Sequence, residues 1–150
     1  MDKTHTRVLA THRRAKFEYH LSDQVEAGLV LTGSEVKSLR SDSSANLTDG
    51  WVEFRPDGAW LCDIWINPYE QANRFNHEPR RPRKLLLKQN EIDKLRKGSR
   101  ERGVTVIPLK LYFKGSRVKV EIALARGKKL HDKRQSLKER DIKKQLRRVK

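Results

Sequence analysis

Four basic side chains, Arg80, Arg81, Arg83 and Lys84, stand within five residues, interrupted by Pro82 and running into Leu85-Leu86-Leu87. Guanidinium forks match paired phosphate oxygens, and Pro82 excludes a regular helix, so an extended backbone could carry these cations along a sugar-phosphate strand. A leucine or aromatic beside them could stack on a splayed base, the usual way in which single-stranded RNA is read. Trp51, Trp60, Trp65, Tyr69 and Tyr112 are the aromatic candidates. The plainer alternative is a solvated basic loop.

Catalytic constellations are missing by comparison. The histidines at 5, 12, 20, 77 and 131 are scattered, with no Cys/His pair at zinc-ligand spacing and no P-loop, GxGxxG or GxSxG motif. His77-Glu78 before Pro79 reads as loop packing rather than an acid/base pair. Cys62 is the single cysteine, so it forms no internal disulfide and reads as a small buried hydrophobe in a reducing compartment. The residues therefore predict a binding protein, not an enzyme, with no metal and no cofactor.

Charge gives the same direction. The chain has 150 residues, with 35 Lys+Arg against 19 Asp+Glu, a net charge of +16. Residues 1–16 carry five basic and one acidic residue, and residues 126–150 twelve and three, so the two ends hold +4 and +9 and the middle only +3. Within that middle, residues 74–102 reach +7. A nearly neutral body with one basic patch and two basic ends suits a polyanion met from one side. Nucleic acid is the leading partner and an anionic membrane surface the second. The start, MDKTHTRVLATHRR, lacks the apolar core of a secretory signal, and no apolar run exceeds four residues, far below the ~20 of a membrane span. Both observations predict a cytoplasmic protein.

The elements that must position these residues are mostly short strands. Residues 17–21 and 27–31 read as strands, and Thr32-Gly33-Ser34-Glu35 opens a helix with Val36 and Leu39 on one face. WVEFR and AWLCDIWI flank the turn Pro56-Asp57-Gly58, and alternation predicts Trp60, Cys62, Ile64 and Ile66 on one face of the second strand. A short capped helix starts at Asn90 and stops at Gly98. Leu109, Leu111 and Phe113, then Val118, Val120, Ile122 and Leu124, form a hairpin about Gly115-Ser116. Several antiparallel strands with small helices predict a mainly β chain, a small Greek-key or closed barrel. After Ala125, RGKKLHDKRQ has almost no apolar content and reads as disordered, while Ser136-Leu137-Lys138-Glu139 caps a latent helix with Ile142, Leu146 and Val149 on one stripe.

The same residues resemble a family. EAGLVLTGSEVKSLR from Glu26, NPYEQANRFNH from Asn67, RPRKLLL from Arg81, PLKLYFKGSRVKVEIALARGKKLHDKR from Pro108 and KERD from Lys138 are similar, in order and along nearly the whole chain, to the small protein B family of tmRNA-binding (SsrA-binding) proteins. The resemblance implies an oligonucleotide-binding-fold closed antiparallel barrel over 13–125, a flexible basic segment over 1–12, and a basic tail over 126–150 that is disordered when free and helical on the ribosome. It implies a monomeric, non-catalytic adaptor of trans-translation, whose barrel binds the tRNA-like domain of tmRNA. The complex, with elongation factor Tu on the alanyl-tmRNA, enters stalled bacterial ribosomes so that the nascent chain is tagged and the ribosome released.

Carried onto this chain, the resemblance places RNA contacts at Glu26, Leu86, Lys88, Lys119, Lys128 and Lys129, beside the basic pair Arg13 and Arg14 and the cluster at Arg83 and Lys84. It assigns His131, Asp132, Lys133 and Arg134 to the decoding centre and empty mRNA channel. Two positions depart from the pattern: His12 stands where the family often has Asn, and Phe17 where it has His. The alternatives are a ribosomal protein or a general structured-RNA binder, and, more remotely, an RNA-processing enzyme.

Overall fold

The computed structural model describes residues 5–41 and 44–148. Its body is a seven-stranded antiparallel sheet, built from β1 (Thr6–Thr11), β2 (Tyr19–Leu29), β4 (Trp51–Arg55), β5 (Gly58–Cys62), β7 (Arg83–Leu86), β8 (Val104–Lys114) and β9 (Arg117–Gly127) in the order β1-β8-β9-β2-β7-β5-β4. A two-stranded ladder joins β3 (Ala45–Asn46) to β6 (Trp65–Ile66). The helices are α1 (Ala15–Glu18), α2 (Gly33–Arg40), α3 (Gln89–Ser99) and α4 (Leu130–Arg148).

The long β8–β9 hairpin follows from alternation, broken once by a bulge between Pro108 and Lys110 that puts Leu109 on the opposite face from Leu111 and Phe113. Leu111, Val120 and Ile122 are fully buried on the inner face, where Leu29, Val52, Leu61 and Leu85 join them beneath Leu39 of α2 and Leu95 of α3. The outer face carries a smaller cluster at one end, where Ala15 of α1, with Tyr19 and Leu21, covers Ile107, Leu109, Ala123 and Ala125. The rest of the outer face is uncovered by α1.

Four expectations are corrected. The sheet curls but does not close: among the described residues β1 pairs only with β8 and β4 only with β5. Just before β4, a Cβ on Gly50 would stand 2.7 Å from Pro108 of β8 and 2.6 Å from Ile64, so the chain passes close to β8 with no ladder between β4 and β8. The two strands foreseen at 17–21 and 27–31 are one, β2, kinked by a bulge between Ser22 and Val25 in which Asp23 takes a positive φ.

The strand foreseen from Ala59 to Ile66 breaks at Asp63, whose φ of 60° shifts the alternation by one. Ala59 and Leu61 point inward before it, Ile64 and Ile66 after it, while Trp60 and Cys62 lie on the opposite side from that foreseen. Cys62 is nonetheless buried, and that burial pushes its thiol up to about 11. Finally, the segment 1–12, foreseen as flexible, supplies the edge strand β1 from Thr6 onward.

Candidate RNA interface

Directly opposed residues of neighbouring strands share a face, so the ladders define the outer surface. Tyr112, Lys119, Gly28 and Leu86 form one row across β8, β9, β2 and β7. Lys110, Glu121 and Glu26 form the adjacent row, and Lys114 with Arg117 closes the hairpin end. Lys84, two residues before Leu86, continues this face beside Trp60 of β5. Of the positions inferred from sequence, the fold thus brings Glu26, Lys84, Leu86 and Lys119 onto one surface, with exposed Lys88 at the end of β7.

Gly28 is required here for its lack of a side chain. A Cβ would stand 3.2 Å from both Cβ and Cδ1 of Leu86, so the leucine lies across the glycine backbone while remaining 59% exposed. Next to it runs a groove of about 290 Å³ between Gly28, Val36, Leu86, Arg117 and Lys119. An exposed apolar surface between two lysines can support a base while phosphates meet the cations.

Glu26 is held in place. Tyr112 Oη donates to its Oε2, and Lys114 Nζ stands 3.2 Å from Oε1. The tyrosine hydrogen bond, with the Lys114 charge, outweighs partial burial and keeps this carboxyl below its ordinary range. Burial and the carboxylate together push the Tyr112 hydroxyl up, so it remains a donor. Glu26 is therefore an oriented, ionised hydrogen-bond acceptor on the outer face. Tyr112 is among the aromatic candidates of the sequence, whereas Lys110, Lys114 and Arg117 were not singled out from it; the signal was their alternation with Leu111 and Phe113 and with Val118.

Arg83 is corrected. It is 0% exposed and turned into the core, where its Nε stands 2.5 Å from Glu35 Oε2 and its terminal nitrogens donate to the carbonyls of Ile64 and Pro79, both at 3.0 Å. Arg81 binds the other oxygen of Glu35, which also accepts from Thr32 N at 2.9 Å. Burial alone would raise the Glu35 carboxyl, but these hydrogen bonds and the Arg83 charge hold it below its ordinary range. Arg83 thus ties β7 to α2 and cannot touch a phosphate. His77 is likewise structural, bridging Ser34 Oγ and Ile66 O, each at 2.9 Å.

Arg13 and Arg14 sit at the start of α1, at the covered end of the sheet, with the Arg14 guanidinium 5.1 Å from the centroid of Phe17. The tail begins beside them. Its helix starts at Leu130 rather than at Ser136, because Asp132 Oδ2 accepts from Lys129 N at 3.3 Å and caps the first turn. Lys128 Nζ donates to Lys16 O at 2.8 Å and to Ser136 Oγ at 2.6 Å, so it fastens the tail rather than facing outward. Asp132 stands 3.4 Å from His20 Nε2, and this bond leads the effects that lower its carboxyl. Lys133 lies over the Phe17 ring at 5.9 Å, while Lys129, His131 and Arg134 are exposed. Ile142 and Leu146 are 56% and 67% exposed on the helix surface, and Val149 lies outside the described residues.

Among the described residues no group of three or more His, Cys, Asp or Glu could hold a metal ion, and no helix is long and apolar enough to cross a membrane.

A family model described as SmpB protein matches residues 9–150. The chain is 51% identical over 144 residues to the SsrA-binding protein of Rhizorhabdus wittichii, covering 95% of this chain and 89% of the relative. It is 46% identical over 140 residues to that of Carboxydothermus hydrogenoformans, covering 93% of each. A solved chain from "tmRNA-SmpB: a journey to the center of the bacterial ribosome" superposes with a TM-score of 0.70 at 36% identity, over 87% of this chain and 95% of its own. With a family model spanning residues 9–150 and relatives this similar along nearly their whole length, the chain belongs to the SmpB protein family.

Proposed function

We propose that this chain is an RNA-binding adaptor of trans-translation. Its outer sheet face binds the tRNA-like domain of tmRNA and delivers it to stalled bacterial ribosomes, and its C-terminal tail enters the decoding centre and empty mRNA channel. The observation that carries the binding site is Leu86, exposed and laid over Gly28 between Lys84 and Lys119, with the fixed carboxylate of Glu26 one row away. The SsrA-binding relatives and the tmRNA-SmpB chain support the choice of RNA.

The curled, partly open sheet is read as an oligonucleotide-binding fold over residues 13–125, acting as a monomer in the cytoplasm and without catalytic activity of its own. Elongation factor Tu meets it only through the alanyl-tmRNA. The tail loosens from α1 in the free protein and sets its helix on the ribosome. Its attachments at Lys128 and Asp132 lie at its very start, and further along Ile142 and Leu146 stand exposed, without the packing of an apolar face from which most helices draw their stability. His131, Asp132, Lys133 and Arg134 are its ribosomal contacts.

The test is a competition titration of the full chain against the tRNA-like domain and an ordinary tRNA. The expected result is a strong preference for the former, with affinity falling about 10³- to 10⁵-fold between 50 and 200 mM salt. Equal affinity for both would favour a general structured-RNA binder. Truncation after Ala125 should leave this affinity largely intact and abolish tagging on stalled ribosomes.

A further inference from the structure

Where the open outer face meets α1, the surface sinks into a concavity of about 500 Å³, within the ordinary size range of small-ligand pockets. Its wall includes His12, which is only 7% exposed. Its backbone N–H is anchored on Leu109 O at 2.8 Å and its ring meets Tyr19 edge-on at 6.5 Å. Yet its Nδ1 is a buried side-chain nitrogen with no hydrogen-bond partner among the described residues. A buried ring nitrogen left unpaired is costly, and such groups call for an explanation.

The remaining lining explains what could supply the bond. Leu21 and Leu109 offer an apolar floor, Gln24 and Glu121 offer hydrogen-bonding groups at the wall, and Lys16 and Lys110 offer cations. A site for an inorganic anion would not include a carboxylate or an apolar floor. A nucleotide fits each part: its base would lie on the leucines, an amino group on the base edge would donate to Glu121, its phosphate would meet a lysine, and a turn of the buried His12 ring would bring Nδ1 to a ribose or ring atom. The pocket is also continuous with the proposed RNA face, because Glu121 is the ladder partner of both Glu26 and Lys110.

We propose that this concavity takes up one nucleotide, bearing an amino group on its base edge, splayed out of the RNA bound on the outer face. The proposal rests on the RNA-binding reading above. It assigns Gln24, Glu121 and His12 a recognition role and explains the unpaired imidazole nitrogen as a donor or acceptor kept for the ligand.

The test is ring-nitrogen NMR of the full chain labelled in its histidines, with separate titrations of the tRNA-like domain, cytidine monophosphate and inorganic phosphate. The His12 signal should move with the RNA and stay still with phosphate. Gln24→Ala and Glu121→Gln should each weaken RNA binding about tenfold, the scale of one lost base contact, and suppress that movement with the melting temperature unchanged. These two variants keep the test open should His12→Ala fail to fold. Movement with cytidine monophosphate but not with RNA would assign the pocket to a free nucleotide and overturn the proposal. No movement at RNA saturation, with both variants binding normally, would overturn the proposal and leave the RNA-binding reading standing. Absence of RNA binding altogether would overturn both.

Discussion

Arg83 and Leu86 lie three residues apart on β7 and face opposite environments. The arginine is 0% exposed and locked to Glu35, whereas the leucine is 59% exposed over Gly28. Their immediate neighbours invert the pattern again, with Leu85 buried at 2% and Lys84 on the outer face. The difference teaches that one pleated strand divides a single basic-apolar run between two tasks. The inner face holds β7 to α2 through a buried charge pair, and the outer face offers that rigid strand to a ligand. Binding groups on a strand braced in this way lose little freedom on association.

The largest effect should come from breaking the inner side. Glu35→Ala leaves Arg83 buried without its partner, and denaturant unfolding should show a loss of about 3–5 kcal/mol; Arg83→Ala, which leaves Glu35 with Arg81 alone, should also destabilise, by less. An Arg83→Ala chain that keeps its stability yet loses RNA affinity would show that the two faces are not divided as described.

The outer side should behave in the opposite way. Leu86→Ala should weaken binding of the tRNA-like domain by about 1–2 kcal/mol, and Lys119→Ala should reduce the salt slope by about one phosphate contact, each at nearly unchanged unfolding midpoint. Loss of stability without loss of affinity would break the comparison from this side.

A smaller effect sharpens it. The folded carboxyl of Glu26 lies below its ordinary range, so its contribution to stability is present above the unfolded value and is lost as pH falls through the folded one. Tyr112→Phe should raise this carboxyl towards its ordinary value, read by a carbon NMR titration, and narrow that acid-side window. An unmoved titration would mean that Lys114, not Tyr112, sets the site.

Much of this was legible wherever the signal was local. The β8–β9 hairpin follows from alternation about Gly115-Ser116, the first turn of α2 from Thr32 and Glu35, and the extended course of β7 from Pro82. The motif blocks pointed to Glu26, Leu86 and Lys119, which the ladders then place together. Non-local features were not legible. Arg83 looks like its neighbours until Glu35, 48 residues earlier, is folded against it. Asp63 shifts the phase of its strand through a single backbone angle that no periodicity announces. Gly50 comes close to Pro108, 58 residues later, and the early start of α4 rests on a cap by Asp132 and a lysine reaching back to α1. Each is a contact between segments that are unremarkable when read alone.

The most direct test of the divided strand is cross-saturation from the tRNA-like domain of tmRNA to the leucine methyl groups of the full chain. Leu86 should receive strong saturation while Leu85, adjacent in sequence and buried, receives none. Saturation confined to other surfaces, with Leu86 silent when the RNA is fully bound, would contradict the outer face as the binding site.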